Sequence, residues 1–279
     1  MQFCKRSLRY LIKGTPYIVQ NVVKADIHYL SPSARLEGKR IVITGGARGL
    51  GFAMAEKFIS EGAMVLITGR NEELLQEKST LLGCKYYVLD VRDVAAIPAF
   101  FEHAVRLLGE IDILVNNAGI SLHEGSIGNV TESQFNAQIE TNLRGGYFLA
   151  QKFIQYALTK NGDRKGALLF VSSERGSYVD DLPYGLTKAA VNSLTQGLAY
   201  SFASEGIRVN AIAPGVTASE MTGFDKDGDL ACPYNISGRV YLPEEVAEIA
   251  CFLISDAAWC LNGQILVCNE GKSINHHRK

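Results

Sequence analysis

From Lys39 onward the chain alternates short apolar runs with longer amphipathic stretches, and this constrains its fold more than any other feature of the sequence. The apolar runs, Ile41–Thr44, Met64–Thr68, Tyr86–Asp90, Ile111–Asn116, Ala167–Ser172, Arg208–Ala213 and Gln264–Cys268, read as strands. Between them Phe52–Glu61, Glu72–Leu82, Val94–Leu108, Thr131–Leu158, Tyr184–Ser204 and Pro243–Ser255 read as helices. The first helix places Phe52, Ala55, Phe58 and Ile59 on one face, and Gly62 closes it. Continuous rather than alternating apolar runs are the mark of strands buried on both faces. Strand–helix repetition joins such strands by right-handed crossovers into a parallel sheet. The expectation is a single α/β domain of the doubly wound, Rossmann type. The rhythm breaks only at residues 219–241, a polar stretch carrying Gly223, Gly228, Gly238 and Pro233, which reads as a lid or binding loop.

Charge divides the chain. The whole has 28 Lys+Arg and 29 Asp+Glu, but residues 1–35 hold six basic residues and one acid, leaving 22 basic and 28 acidic in residues 36–279. A basic N-terminal extension (1–35) thus precedes an acidic body (36–279). An acidic body argues against a nucleic-acid partner. No apolar run is long enough for a transmembrane segment, and the start lacks the clean apolar stretch of a secretory signal. The six cysteines form no C-x-x-C pair and read as reduced thiols, so a cytoplasmic location is expected. His28, His103 and His123 have no metal-ligand spacing, and Asp225–Asp229 lacks the glycine and glutamate positions of a calcium loop, so no metal is expected.

Chemistry first shows where strand Ile41–Thr44 meets Gly45-Gly46-Ala47-Arg48-Gly49-Leu50-Gly51. Glycines at 45, 49 and 51 permit a tight turn and close backbone approach to a pyrophosphate, and the following helix N-terminus favours an anion. Alone, such a segment reads equally as a tight turn without a ligand. It does not stand alone. Thr44–Gly51, Asp90-Val91, Asn116-Asn117-Ala118-Gly119, Tyr184-Gly-Leu-Thr-Lys188 and Ala213-Pro214-Gly215 follow in order. Together they resemble the short-chain dehydrogenase/reductase family, and in particular its 3-oxoacyl-carrier-protein reductase-like members, over Gly38 to about Gly271.

The resemblance implies an oxidoreductase exchanging hydride between a nicotinamide and a carbonyl or secondary alcohol. It implies catalytic roles for Asn142, Ser173, Tyr184 and Lys188. Tyr184 and Lys188 lie four apart on one helix face, where a nearby ammonium would lower the phenol pKa toward the operating pH. Two serines adjoin at the end of the fifth strand. The family pattern selects Ser173, which would hold the substrate oxygen, and leaves Ser172 structural. The loop from Ser173 to Tyr184 is two residues shorter than the family's usual one, which implies an altered pocket wall. Asn142 has two readings: an amide that holds a relay water beside Lys188, and a helix-kink residue satisfied by backbone.

For the cofactor, the resemblance implies contacts at Gly45, Arg48, Gly49, Leu50, Gly51, Asp90, Val91, Asn117, Gly119, Val216 and Thr217, besides Tyr184 and Lys188. Asp90 would face the adenine amino group. An acid at the end of the second strand would accept the ribose hydroxyls of NAD(H); here Gly69 stands in that place and Arg70 follows. Arg70, with Arg48 near the same corner, favours the 2′-phosphate of NADP(H) over NAD(H). The pocket is expected between Glu174–Pro183 and a lid from Ser219 to Tyr241, partly apolar through Met221, Phe224, Tyr234 and Ile236, with Asp180 and Asp181 at its rim. Family members are commonly homodimers or homotetramers, which gives the basic arm a use in clasping a second subunit. A cofactor-binding sensor or scaffold without catalysis is the alternative function.

Overall fold

A computed structural model describes residues 10–12, 15–17 and 34–274. Most of the basic arm, and with it the expected clasp on a second subunit, lies outside the described residues; within it, β1 (Tyr10–Ile12) and β2 (Thr15–Tyr17) pair as an antiparallel hairpin. The body is a seven-stranded, wholly parallel sheet. Its strands are β3 (Arg40–Thr44), β4 (Met64–Gly69), β5 (Lys85–Val88), β6 (Ile113–Asn116), β7 (Gly166–Val171), β8 (Ile207–Pro214) and β9 (Ile265–Cys268), in the order β5-β4-β3-β6-β7-β8-β9.

The sheet is buried on both faces, as its continuous apolar strands require. Ile41 and Ile43 of β3 point into one core with Met54 and Phe58 of α1 (Gly49–Ser60) and Val246 and Ala250 of α7 (Pro243–Ile254). Val42, between them, points into the other core. There it joins Phe100 of α3 (Ile97–Leu108), Phe153 of α5 (Gly146–Leu158) and Val191 of α6 (Pro183–Phe202). This is the two-residue period of a strand serving two helix layers. Every residue of β8, inside the sheet next to edge strand β9, is buried, whereas β5 at the other edge is not.

Local chemistry sets the helix ends. Asn71 caps α2 (Glu72–Leu82) by accepting from the Leu74 N–H at 2.9 Å. Thr131 and Gln134 form a capping box that starts α4 (Glu132–Gln138). The single helix expected over Thr131–Leu158 is interrupted: Ile139–Gly145 widens into a π-helical turn between α4 and α5. Gly145 permits it, because a Cβ there would stand 2.5 Å from the Val91 carbonyl oxygen. Asn142 lies in this turn.

The strand order reverses between β3 and β6, so the loops after these two strands part and leave a crevice at the C-terminal edge of the sheet. A buried ion network steadies the opposite side of α1. Glu61, fully buried, meets Arg35 at 2.6 Å and Lys57 at 2.9 Å, and Glu248 of α7 meets the same two cations at 3.0 and 2.5 Å. Hydrogen bonds to Glu61 and Glu248 raise the Arg35 pKa against the opposing effect of burial. Arg35, counted with the arm in the sequence, is therefore anchored in the body. Removing one partner from such a network strands the others without water. Glu61→Ala is expected to cost about 3–5 kcal/mol, read as a lower urea midpoint with an unchanged slope; a loss below about 1 kcal/mol, the worth of a surface pair, would refute this account.

Candidate active site

The crevice is built around Thr44, the last residue of β3. Its hydroxyl accepts from the Asn117 and Ala118 N–H groups, both at 3.1 Å, and donates to the Val115 carbonyl at 3.3 Å. The Asn117 side-chain amide returns the tie, donating to the carbonyls of Thr44 at 2.9 Å and Gly45 at 3.0 Å. A Cβ on Gly51 would stand 2.2 Å from the Gly45 oxygen, so helix α1 enters the loop closely enough only with glycine. Gly45 and Gly49 hold φ of +65° and +46°, which side chains resist. Gly46 belongs with them, though the motif spacing did not single it out: a Cβ there would lie 2.7 Å from Ile67. Leu50 turns away, packing against the core below.

The N-terminus of α1 has no side-chain cap and no acid in its first turn. Its free N–H groups and dipole therefore face the crevice unopposed, the arrangement that suits a diphosphate. The glycine cradle and this uncapped end fit a dinucleotide.

At the adenosine end of this cradle the structure departs from expectation. The Asp90 carboxylate is taken by Arg92, whose Nε lies 3.0 Å from Oδ1 and whose Nη2 lies 2.6 Å from Oδ2. This pairing, against burial, holds Asp90 below the usual carboxylate range. Val91 is buried beside it. Gly69 ends β4 with no acid in its place, and Arg70 is exposed. Arg48, expected to reach this corner, instead pairs with Glu220 at 2.7 Å, both side chains largely exposed.

Ser173, Tyr184 and Lys188 come together at the end of β7 and the start of α6. Ser173 caps a short turn, its Oγ accepting from the Arg175 N–H at 3.2 Å. Burial raises the Tyr184 pKa, while a Ser173 hydrogen bond and the charge of Arg175 oppose that rise. Lys188 was expected to supply this opposing charge. Instead its Nζ donates to the Val171 carbonyl at 2.8 Å and lies 5.6 Å from the centre of the Tyr184 ring. Burial lowers the Lys188 pKa to about 8, and the charge of Arg175 also favours the phenolate. Ser172 donates to the Lys188 carbonyl at 3.2 Å, the structural role read for it.

Asn142 follows its backbone-satisfying reading. Its Nδ2 donates to the Ile120 carbonyl and its Oδ1 accepts from the Ile120 N–H, each at 2.8 Å. Its amide is thereby committed. A small cavity beside it, lined by Asn116, Thr141, Asn142 and Lys188, keeps one unpaired acceptor, Oδ1 of Asn116. Gly119 leaves room there: a Cβ would meet Asn142 Oδ1 at 3.3 Å and Lys188 Nζ at 3.5 Å.

The shortened loop folds onto itself. Arg175 pairs with Asp180, which also accepts the Leu182 N–H at 3.0 Å ahead of α6. Asp180 is thus turned inward, not placed at a solvent rim. Sequence reasoning missed Glu174. This buried carboxylate accepts from Tyr178 Oη at 3.0 Å, Asn269 Nδ2 at 3.0 Å and Lys272 Nζ at 2.9 Å. The one signal for it was a charged residue beside a strand-end serine.

The loop after β8 covers the crevice. Thr217 is buried, its Oγ1 donating to the Gly215 carbonyl at 3.0 Å, while Val216 and Ala218 exchange backbone bonds with Tyr241. The lid has its own small core of Ala218, Leu230, Cys232, Val240 and Leu242, against which Phe224 packs. Tyr234 and Ile236, expected to line the pocket, are instead largely exposed. Two contacts hold the lid from either side, Arg48–Glu220 and the His123 ring to the Met221 carbonyl at 2.8 Å. Among the described residues no helix is long and apolar enough to cross a membrane.

With this geometry in view, the chain was compared with known proteins. A family profile described as Enoyl-(Acyl carrier protein) reductase matches residues 45–273. The 3-oxoacyl-[acyl-carrier-protein] reductase FabG of Thermotoga maritima is 36% identical over 246 residues, covering 85% of this chain and 98% of that protein. Among solved structures, a 3-ketoacyl-(acyl-carrier-protein) reductase from Brucella melitensis complexed with NADH superposes with a TM-score of 0.79 at 30% identity, over 86% of this chain and all of that one. A short chain dehydrogenase from Burkholderia cenocepacia in complex with NADP gives 0.76 at 29% identity, over 85% and 99%.

The depressed Lys188 has a consequence for stability. The unfolded chain keeps this ammonium up to its ordinary 10.5, while the folded protein releases the proton near 8. Between these values the unfolded state binds more protons, so stability rises with pH, and below about 8 the full penalty applies. Lys188→Met is expected to stabilise the cofactor-free protein at pH 7, with the advantage shrinking toward pH 10, in urea titrations across that range. A pH-independent difference would contradict the assignment.

Proposed function

This chain belongs to the short-chain dehydrogenase/reductase family, and from that premise we propose that it is an NADP(H)-dependent oxidoreductase, interconverting a carbonyl and a secondary alcohol. The observation that carries the reading is the convergence of Ser173, Tyr184 and Lys188 beside an uncapped helix end and a glycine cradle. When bound, the nicotinamide donates or accepts the hydride. Gly45, Gly49, Leu50 and Gly51 would bring backbone up to its diphosphate, Val91, Asn117 and Gly119 would border its adenosine and ribose, and Val216 and Thr217 would meet its nicotinamide end.

Ser173 holds the substrate oxygen by hydrogen bonding and stabilises its developing negative charge. Tyr184 gives its proton to that oxygen in reduction and takes it back in oxidation. Lys188, desolvated and with a pKa near 8, changes protonation within the working range and passes a proton toward the cavity bordered by Asn142 and Asn116. Asn142 positions the Ile120 backbone that walls this path.

Three features support NADP(H) over NAD(H): Gly69 in the place of an acid, Arg70 exposed beside it, and Asp90 neutralised by Arg92. Arg48 joins them once it leaves Glu220, since an exposed pair of this kind is worth about 0–1 kcal/mol. The same reading takes 36–279 as the catalytic domain, extended by Arg35, and 1–35 as an added arm. It takes the protein as a cytoplasmic homodimer or homotetramer. Tyr147, Leu186 and Tyr200, exposed on α5 and α6, support assembly.

Two variants test these roles. Tyr184→Phe is expected to lower kcat by at least about a hundredfold while NADPH still binds, as followed by cofactor fluorescence; full turnover would refute the mechanism. Arg70→Ala is expected to weaken NADPH about tenfold, one charge-assisted bond's worth, and to leave NADH unaffected. An equal loss for both cofactors would overturn the specificity.

A further inference from the structure

Next to Ser173 lies a group of buried polar side chains that the mechanism does not use. Glu174 follows Ser173 directly, and it is 5% exposed. Asn269, 1% exposed, comes from the end of β9, and Tyr241, 6% exposed, from the end of the lid. All three converge on Gly215, the residue before Val216 and Thr217. A Cβ there would stand 2.8 Å from the Tyr241 ring, 3.2 Å from Asn269 Cβ and 3.4 Å from Glu174 Oε2. The group therefore packs around Gly215, between Ser173 and the segment read as meeting the nicotinamide.

Its hydrogen-bonding capacity is only partly used. Glu174 accepts three bonds, from Tyr178, Asn269 and Lys272, out of about four sites on a carboxylate. The Asn269 orientation is set by this neighbour: Nδ2 must face the carboxylate, which turns Oδ1 the other way, where it has no partner. The Tyr241 hydroxyl is likewise buried; it makes no well-formed hydrogen bond and interacts only loosely with the Glu270 carboxylate. Burial and the carboxylates of Glu270 and Glu174 hold its pKa above the ordinary phenol value, so it stays a neutral donor. An unpaired acceptor, a loosely held donor and a spare carboxylate site are what a substrate hydroxyl, or two neighbouring ones, would satisfy. An alkyl chain in the same place would leave them unsatisfied.

We propose that Glu174, Asn269 and Tyr241 form a subsite for substrate hydroxyl groups, which makes the substrate a polyhydroxylated carbonyl or its alcohol rather than a plain acyl chain. The assignment rests on the oxidoreductase reading above. Entry requires the lid to lift, and the lid is held from outside by the exposed Arg48–Glu220 pair and the His123–Met221 bond. A site built to bond a hydroxyl rejects the analogue that lacks it far more strongly than an apolar pocket rejects a change in size.

The test compares erythrulose with butan-2-one, which share a carbon skeleton and differ in hydroxyls. Binding is measured by calorimetry on the NADPH-loaded Tyr184→Phe protein, which does not turn over, and kcat/KM on the unmutated enzyme. Erythrulose is expected to bind at least about tenfold more tightly, one hydrogen bond's worth. Adding Glu174→Val is expected to abolish that preference, and adding Tyr241→Phe to reduce it. Melting temperature and NADPH binding confirm that each variant is folded; if Glu174→Val does not fold, Tyr241→Phe and Asn269→Leu decide. Equal binding of the two ketones, or a preference indifferent to these variants, overturns the subsite. Selective binding with no reduction of either ketone by the unmutated enzyme would leave the subsite standing and refute the oxidoreductase reading. Equal reduction of both would do the reverse.

Discussion

The bond set between Thr44 and Asn117 is the constraint on which the rest of the molecule depends. A parallel sheet whose order reverses at one point must open a gap between two strands' trailing loops, and an open gap would expose unpaired backbone. Here one hydroxyl and one amide close it at the base: Thr44 accepts from two N–H groups and donates once, and Asn117 reaches back to two carbonyls. The crevice is left open only above this tie. Helix α1 can then start so close to Gly45 that residue 51 has no room for a side chain, which aims its free N–H groups into the gap.

On the other side of the crevice, burial rather than charge pairing sets the acid–base properties. Desolvation raises Tyr184 and lowers Lys188 at the same time, so each is pushed toward its neutral form. The family pattern suggests a lysine ammonium beside a phenol. That ammonium donates to the Val171 carbonyl, and Arg175, itself held by Asp180, adds a second charge near Tyr184. The loop after β7 thus does more than form a wall: it carries a cation next to the Tyr184 phenol and the buried Glu174 next to Ser173.

Much of this was visible in the sequence, for identifiable reasons. Strands buried on both faces must be continuously apolar, so their positions were read to within a residue or two; Glu72–Leu82 matches α2 fully because Asn71 and Gly83 mark its ends. Glycines forced by close backbone contact leave a spacing that survives in one dimension, as at Gly45 and Gly51. What the sequence did not show has a different cause. Arg92 and Glu220 pair with Asp90 and Arg48, and nothing in the sequence marks those pairings. Tyr234 and Ile236 were read inward because apolar residues in a lid usually are, whereas the lid has a small core elsewhere. The uniform helix expected over Thr131–Leu158 hid a π turn whose last residue, Gly145, packs against Val91, some fifty residues earlier in the chain.

The sequence by itself determined the class of fold, the place of the crevice and the family to which the chain belongs, because these follow from periodicity and from short motifs whose parts act within a few residues of each other. Only the tertiary structure decided which partner each charge takes. It joined Arg35 of the arm to Glu61 and Glu248, and Glu174 to Asn269 and Lys272 across nearly a hundred residues. Such pairings depend on how helices and loops from distant stretches converge at one edge of the sheet, and on how much water is left between them once they have.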